Sequence, residues 1–136
     1  MSTREFGLFA EGIARHYLIK KGYKILASNF KLKFGELDIV AQKEDKIIFF
    51  EVKALKNSYE DYNPEMRVDY KKKNKLIKLG QAFMLYKKLD DVPWQIDVIS
   101  VTLDPENRPE KSREGPRVTF TGKAKIKHFK NAFSDN

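Results

Sequence analysis

Gly35-Glu36-Leu37-Asp38-Ile39-Val40-Ala41, Gln42-Lys43-Glu44-Asp45 and Lys46-Ile47-Ile48-Phe49-Phe50-Glu51-Val52-Lys53-Ala54 read as one β-hairpin, two arms and the polar segment between them. With Ala41 paired to Lys46, Asp38 falls opposite Phe49 and Glu36 opposite Glu51. Strand side chains alternate with period two, so Glu36, Asp38, Glu51 and Lys53 project from one face. Asp38 and Glu51 become diagonal neighbours, with Cα atoms roughly 7–8 Å apart, and both carboxylates can reach one cation. Acids this close repel and raise at least one pKa unless a cation neutralises them. A hard, oxygen-ligated Mg²⁺ or Mn²⁺ suits the pair, because Mg²⁺ takes one or two carboxylates and completes its shell with water and phosphate. Lys53, one pleat beyond Glu51, is placed to position the attacking water and offset phosphate charge. Those parts serve metal-assisted phosphodiester hydrolysis. The plainer alternative is a strand end whose Glu51 and Lys53 are solvated or ion-paired.

Upstream, residues 3–21 read as a helix. Phe6, Phe9, Ala10, Ile13, Ala14, Tyr17 and Leu18 recur at helical spacing, Ser2 or Thr3 caps the start, and Gly22 stops it. Glu11 lies at the edge of that apolar stripe. On its own it is a solvated helix acid, and its interest lies in what it would join. Residues 23–33 read as a strand leading into the hairpin.

Downstream, residues 56–64 are polar and read as a loop following the candidate site. A second helix is expected over about 69–89. It opens on Lys71, Lys72, Lys73 and Lys75, and cations in a first turn oppose the helix dipole. Phosphate contact accounts for them better than helix stability does. Residues 93–101 read as a strand starting after a proline. Its Asp97 reads as structural, capping a loop or pairing with a lysine of the second helix. Residues 103–116 read as a mobile loop, and 117–121 as a short edge strand. The basic tail, about 122–136, either packs its aromatics with its lysines toward phosphate or frays. His16 and His128 lack metal-ligand spacing and read as surface residues.

The 136 residues suffice for one domain with a real core. The balance of 27 basic against 19 acidic residues, net +8, favours a polyanionic partner, nucleic acid before a membrane surface. Absence of cysteine removes disulfides, thiolate metal sites and thiol nucleophiles. No apolar run approaches the ~20 residues that span a bilayer, and no signal-peptide h-region opens the chain, so the cytoplasm is the expected address. No Gly-rich phosphate loop or G-x-S-x-G elbow points to nucleotide-dependent or serine-hydrolase chemistry.

The order of helix acid, strand Asp and Glu-x-Lys resembles the PD-(D/E)XK superfamily of restriction endonucleases and junction resolvases. More closely, the chain resembles the bacterial YraN-like, endonuclease-like family. The matching pieces are Gly7, Glu11, Ala14, Tyr17-Leu18, Gly22-Tyr23, Asn29, Gly35 to Ala41, Phe50 to Lys53, Lys72, Lys75-Leu76, Asp97-Val98 and Asn131-Ala132-Phe133. The resemblance implies an α/β fold, a restriction-endonuclease-like central mixed sheet flanked by helices. It also implies Asp38 and Glu51 as metal ligands, Lys53 as the water-orienting residue and Glu11 as a further acid reaching the site. Glu36 would be a further ligand or support the ligands, and Lys72 would lie beside the scissile phosphate. Leu55 and Gln95 stand where the pattern carries arginine.

The expected function is therefore a Mg²⁺- or Mn²⁺-dependent nuclease acting on DNA rather than RNA, with branched or damaged structures preferred to a sequence. A domain of this size has little left over for major-groove readout. A homodimer presenting two sites, or a DNA-repair or recombination partner, is compatible with it. The alternative is a non-catalytic nucleic-acid-binding module, in which the acids have no role.

Overall fold

The computed structural model describes residues 2–55, 70–103, 118–121 and 124–133. The first helix, α1 (Thr3–Lys20), opens where the Ser2 hydroxyl accepts the Glu5 N–H at 3.1 Å. It closes at Gly22, whose φ of 92° only glycine adopts without strain. The Gly22 N–H then donates to the Ile19 carbonyl at 3.1 Å and the Tyr23 N–H to that of Leu18 at 2.9 Å. Strands β1 (Lys24–Leu32), β2 (Gly35–Lys43) and β3 (Lys46–Leu55) follow as an antiparallel meander. Helix α2 (Tyr70–Tyr86) precedes β4 (Trp94–Leu103), which lies parallel to β3. After β5 (Val118–Thr121), β6 (Ala124–Phe129) inserts antiparallel between β4 and β5. The described strands form one six-stranded mixed sheet in the order β1-β2-β3-β4-β6-β5, flanked by two helices. The α/β class expected from the sequence is the one observed.

Each helix covers one face. Ala10, Ala14, Tyr17 and Leu18 of α1 pack on Ile39, Ala41, Ile48, Phe50, Ile99 and Ile126. Leu76, Leu79 and Phe83 of α2 pack on Val40, Ile47, Phe49 and Ile96. Burial on both faces explains why residues 47–50 run apolar, and why 98–101, Ser100 included, are buried, without alternation. Helix α2 approaches the sheet so closely that a Cβ on Gly80 would stand 2.9 Å from the Trp94 ring and 3.0 Å from that of Phe49.

Four expectations are corrected. The hairpin pairs Lys43 with Lys46, not Ala41 with Lys46, so its turn is Glu44-Asp45 alone, with Glu44 at φ 56°. Gln42 and Lys43 are polar because they stand near the hairpin tip, yet they remain in the ladder. Over residues 124–129 the tail does not fray but packs, with Phe129 buried as one alternative had it. It does so as strand β6, with Lys125 and Lys127 buried as well rather than turned outward to phosphate. His128 is likewise buried, 3% exposed, whereas His16 is exposed as expected. Leu103, placed in the loop, still pairs with Ala124. The expected loop at 56–64 and the remainder of the one at 103–116 lie outside the described residues.

Candidate active site

Register decides which acids meet. The corrected hairpin brings Asp38 level with Glu51, two residues nearer than the sequence reading placed it. The β2–β3 ladder ends at Ile39 and Phe50, and beyond it the Asp38 carboxylate accepts the Val52 N–H at 2.9 Å. Strand β2 stays paired to β1 as far as Gly35, so Asp38 occupies the point where β2 leaves β3. Strict alternation fails there. Leu37 and Val40, three apart, both pack in the α2-side cluster, as do Ala27 and Phe30 opposite them on β1. Asn29, between that second pair, takes the left-handed φ of 51° that such a switch requires.

Asp38, Glu51, Glu36, Lys72, Lys75, Leu76 and Leu79 line a cleft of about 180 Å³ between α2 and the hairpin. Glu51 is only 8% exposed, and its Oε1 lies 2.7 Å from the Lys72 Nζ. Burial first, and then the Glu51 charge, push Asp38 up to about 7 despite its bond from Val52. Burial draws Lys53 below the ordinary lysine range, and the neighbouring Lys72 charge and their mutual hydrogen bond lower it further. Burial is the largest single influence on Lys72 and disfavours its charge, but the bond to Glu51, the Glu51 and Asp38 charges and the bond to Lys53 together leave it raised. Of the two bonded side chains, Lys72 is pushed up and Lys53 down from the ordinary lysine value. Lys72 supplies the positive charge that two close carboxylates demand.

Glu11 reaches toward the same region from α1. It bonds Asn29, it is raised chiefly by burial, and it feels the charges of Glu36 and Glu51. Its Oε2 is buried without a hydrogen-bond partner. Glu36 is exposed and borders both this cleft and a larger one beside α1. No group of three His, Cys, Asp or Glu among the described residues is gathered closely enough to enclose a metal ion. The donor set still fits a hard cation. Asp38 and Glu51 offer the two carboxylates Mg²⁺ normally takes, water and phosphate complete its shell, and the unsatisfied Glu11 oxygen marks a local excess of acceptors. Of the α2 lysines, Lys72 and Lys75 line the cleft, whereas Lys71 is exposed and Lys73 half-buried outside its lining.

Residues 10–101 match the uncharacterised protein family UPF0102. The chain belongs to that family. A UPF0102 protein of Clostridioides difficile is 43% identical over 103 residues, covering 76% of this chain and 90% of that one. One from Caldanaerobacter subterraneus is 35% identical over 133 residues, 98% of each chain. One from Fusobacterium nucleatum is 41% identical over 100 residues, 74% of this chain and 83% of its own. The family match spans Glu11, Glu36, Asp38, Glu51, Lys53 and the α2 lysines. No described helix is long and apolar enough to cross a membrane.

Sequence reasoning missed one polar network outright. Asp97, fully buried in β4, bonds His128 Nε2 at 2.7 Å and accepts from Gln95 Nε2 at 2.7 Å and the Asn131 N–H at 2.8 Å. The Tyr17 hydroxyl meets His128 Nδ1 at 3.0 Å. Burial, and after it the Asp97 charge, raise Tyr17 and push Tyr23 up to about 12. Asp97 is structural, as expected, but its partner is His128 and not a lysine of α2. The signal was available: an acid in an apolar strand needs a buried donor, and Ala124, Ile126 and His128 repeat with strand period.

Proposed function

We propose that the chain is a divalent-metal-dependent nuclease of the PD-(D/E)XK kind, hydrolysing phosphodiester bonds in DNA. The observation that carries this reading is the pairing of Asp38 and Glu51 in one cleft, with Lys53 next along the same strand and an ammonium, Lys72, already 2.7 Å from Glu51. Asp38 and Glu51 would hold Mg²⁺ or Mn²⁺, with Glu11 and Glu36 at the margin. The ion supplies Lewis-acid polarisation of the phosphate and a more acidic bound water.

The side chains divide the remaining work. Lys53, half-buried and drawn below its usual pKa, orients the attacking water and can exchange a proton with it. Lys72 neutralises Glu51 and would turn toward the phosphate when a cation takes its place. Lys75, exposed at the cleft rim, and Lys71 attract the backbone. The Val52 N–H fixes one Asp38 oxygen and so aims the other.

End-labelled single-stranded, duplex, flap and four-way-junction DNA, incubated with Mg²⁺, Mn²⁺ or EDTA, test the proposal. Metal-dependent cutting should fall by about 10²–10⁴ in Lys53→Ala, the range of a lost proton-transfer group, and vanish in Glu51→Ala. Salt-sensitive binding without cutting, unchanged in both variants, would favour the non-catalytic binding module.

A further inference from the structure

Beside the acid cleft, and sharing Glu36 with it, lies a second cleft of about 520 Å³ between the first half of α1 and strands β1 and β2. The acid cleft falls short of the roughly 300–1,000 Å³ that sites for whole small molecules occupy, and the second falls within it. Its floor is bare helix. Gly7 stands inside α1, where glycine is the poorest residue after proline. A Cβ built on Gly7 meets nothing within 4 Å, so no neighbour in the fold excludes a side chain there. The glycine keeps the cleft open without improving any packing. At one side stand Arg4 and Lys31, which make no ion pair among the described residues. Glu11 and Glu36 stand toward the acid pair, and Leu8, 46% exposed, adds apolar surface.

We propose that this cleft seats one unpaired nucleotide adjoining the phosphodiester that is cut. The proposal rests on the nuclease reading and names its substrate class: nucleic acid with a single-stranded segment beside the cut, such as a flap or an opened branch, not continuous duplex. Arg4 and Lys31 take the outer phosphate by charge. The sugar lies on the backbone at Gly7, where a side chain would displace it. Leu8 contacts the base, and the strand runs past Glu36 to place the next phosphate at Asp38 and Glu51. At about 520 Å³ the cleft has the size of a site for a single small-molecule-sized unit such as one nucleotide.

Binding in EDTA separates this proposal from the chemistry. The full chain is titrated into fluorescein-labelled oligothymidylate and into a blunt hairpin duplex at fixed salt, and anisotropy is read. Gly7→Met should weaken oligothymidylate binding tenfold or more and change duplex binding less than twofold. Arg4→Ala with Lys31→Ala should lower the salt dependence of oligothymidylate binding. Thermal melting checks that Gly7→Met folds, as a better helix former there should. Should it not fold, Gly7→Ala read on the same two probes, and the Arg4/Lys31 double variant read by its salt dependence, carry the test. Wild-type affinity in the variants, equal losses on both probes, or a wild type that binds no oligothymidylate overturns the subsite. If wild type cuts with metal while Gly7→Met binds normally, the subsite falls and the nuclease stands. If Gly7→Met loses the oligonucleotide and nothing cuts, the nuclease falls and the cleft stands.

Discussion

Asp38 is a carboxyl held far above its ordinary pKa. Its carboxyl is raised from 3.8 to about 7, by burial first and by Glu51 second. Between those values the folded chain keeps a proton that the unfolded chain has released. Proton uptake therefore favours the folded state, and this contribution to stability is full below pH ~4, declines as pH rises, and is gone above ~7. In EDTA, Asp38→Asn should flatten the loss of stability between pH 5 and pH 8 by on the order of 2 kcal/mol, after allowance for solvent screening. Denaturant melts of both proteins at the two pH values measure it; identical pH profiles would show that Asp38 is not the strained group. The pairing of Asp38 with Glu51 was legible in the sequence because acids interrupt an apolar hairpin. Their direct juxtaposition was not, because polarity at Gln42 and Lys43 mimics a turn.

At the level of elements, helix propensity and packing make opposite demands at Gly80. Alanine would gain about 1 kcal/mol of propensity in α2. Its Cβ would press on the rings of Trp94 and Phe49, which are themselves packed edge-to-face. Overpacking costs about 1–3 kcal/mol, so Gly80→Ala should lower the melting temperature; a rise would place α2 farther from the sheet. Strand β6 shows why the far edge was hard to read. Lys125 and Lys127 suggest a solvated tail, yet β6 is buried between β4 and β5, and its His128 answers Asp97. Asp97→Ala strands three donors, from Gln95, His128 and Asn131, and should cost about 3 kcal/mol or more, lowering the melting temperature by roughly 10 °C. Unchanged melting would mean the network is dispensable. The helices and most strands were legible because their apolar periods are strong. The break in alternation at Asn29 and Asp38 was not, since a face switch leaves no mark in composition.

Across the whole molecule, a sheet sandwiched by α1 and α2 brings acids from three elements to one end: Glu11 from α1, Asp38 from β2 and Glu51 from β3. The first turns of α2 set Lys72 and Lys75 against them. The whole chain carries a net charge of +8, which on the proposed nuclease reading would gather a polyanion toward that cleft. Single-turnover cleavage of a labelled flap DNA tests the central claim most directly, with Mg²⁺, then EDTA, then Mg²⁺ in excess, for wild type beside Glu51→Ala purified identically. Cutting should stop on chelation, resume on re-addition and be absent throughout in the variant. Cutting that persists in EDTA, or that is equal in Glu51→Ala, would contradict the account.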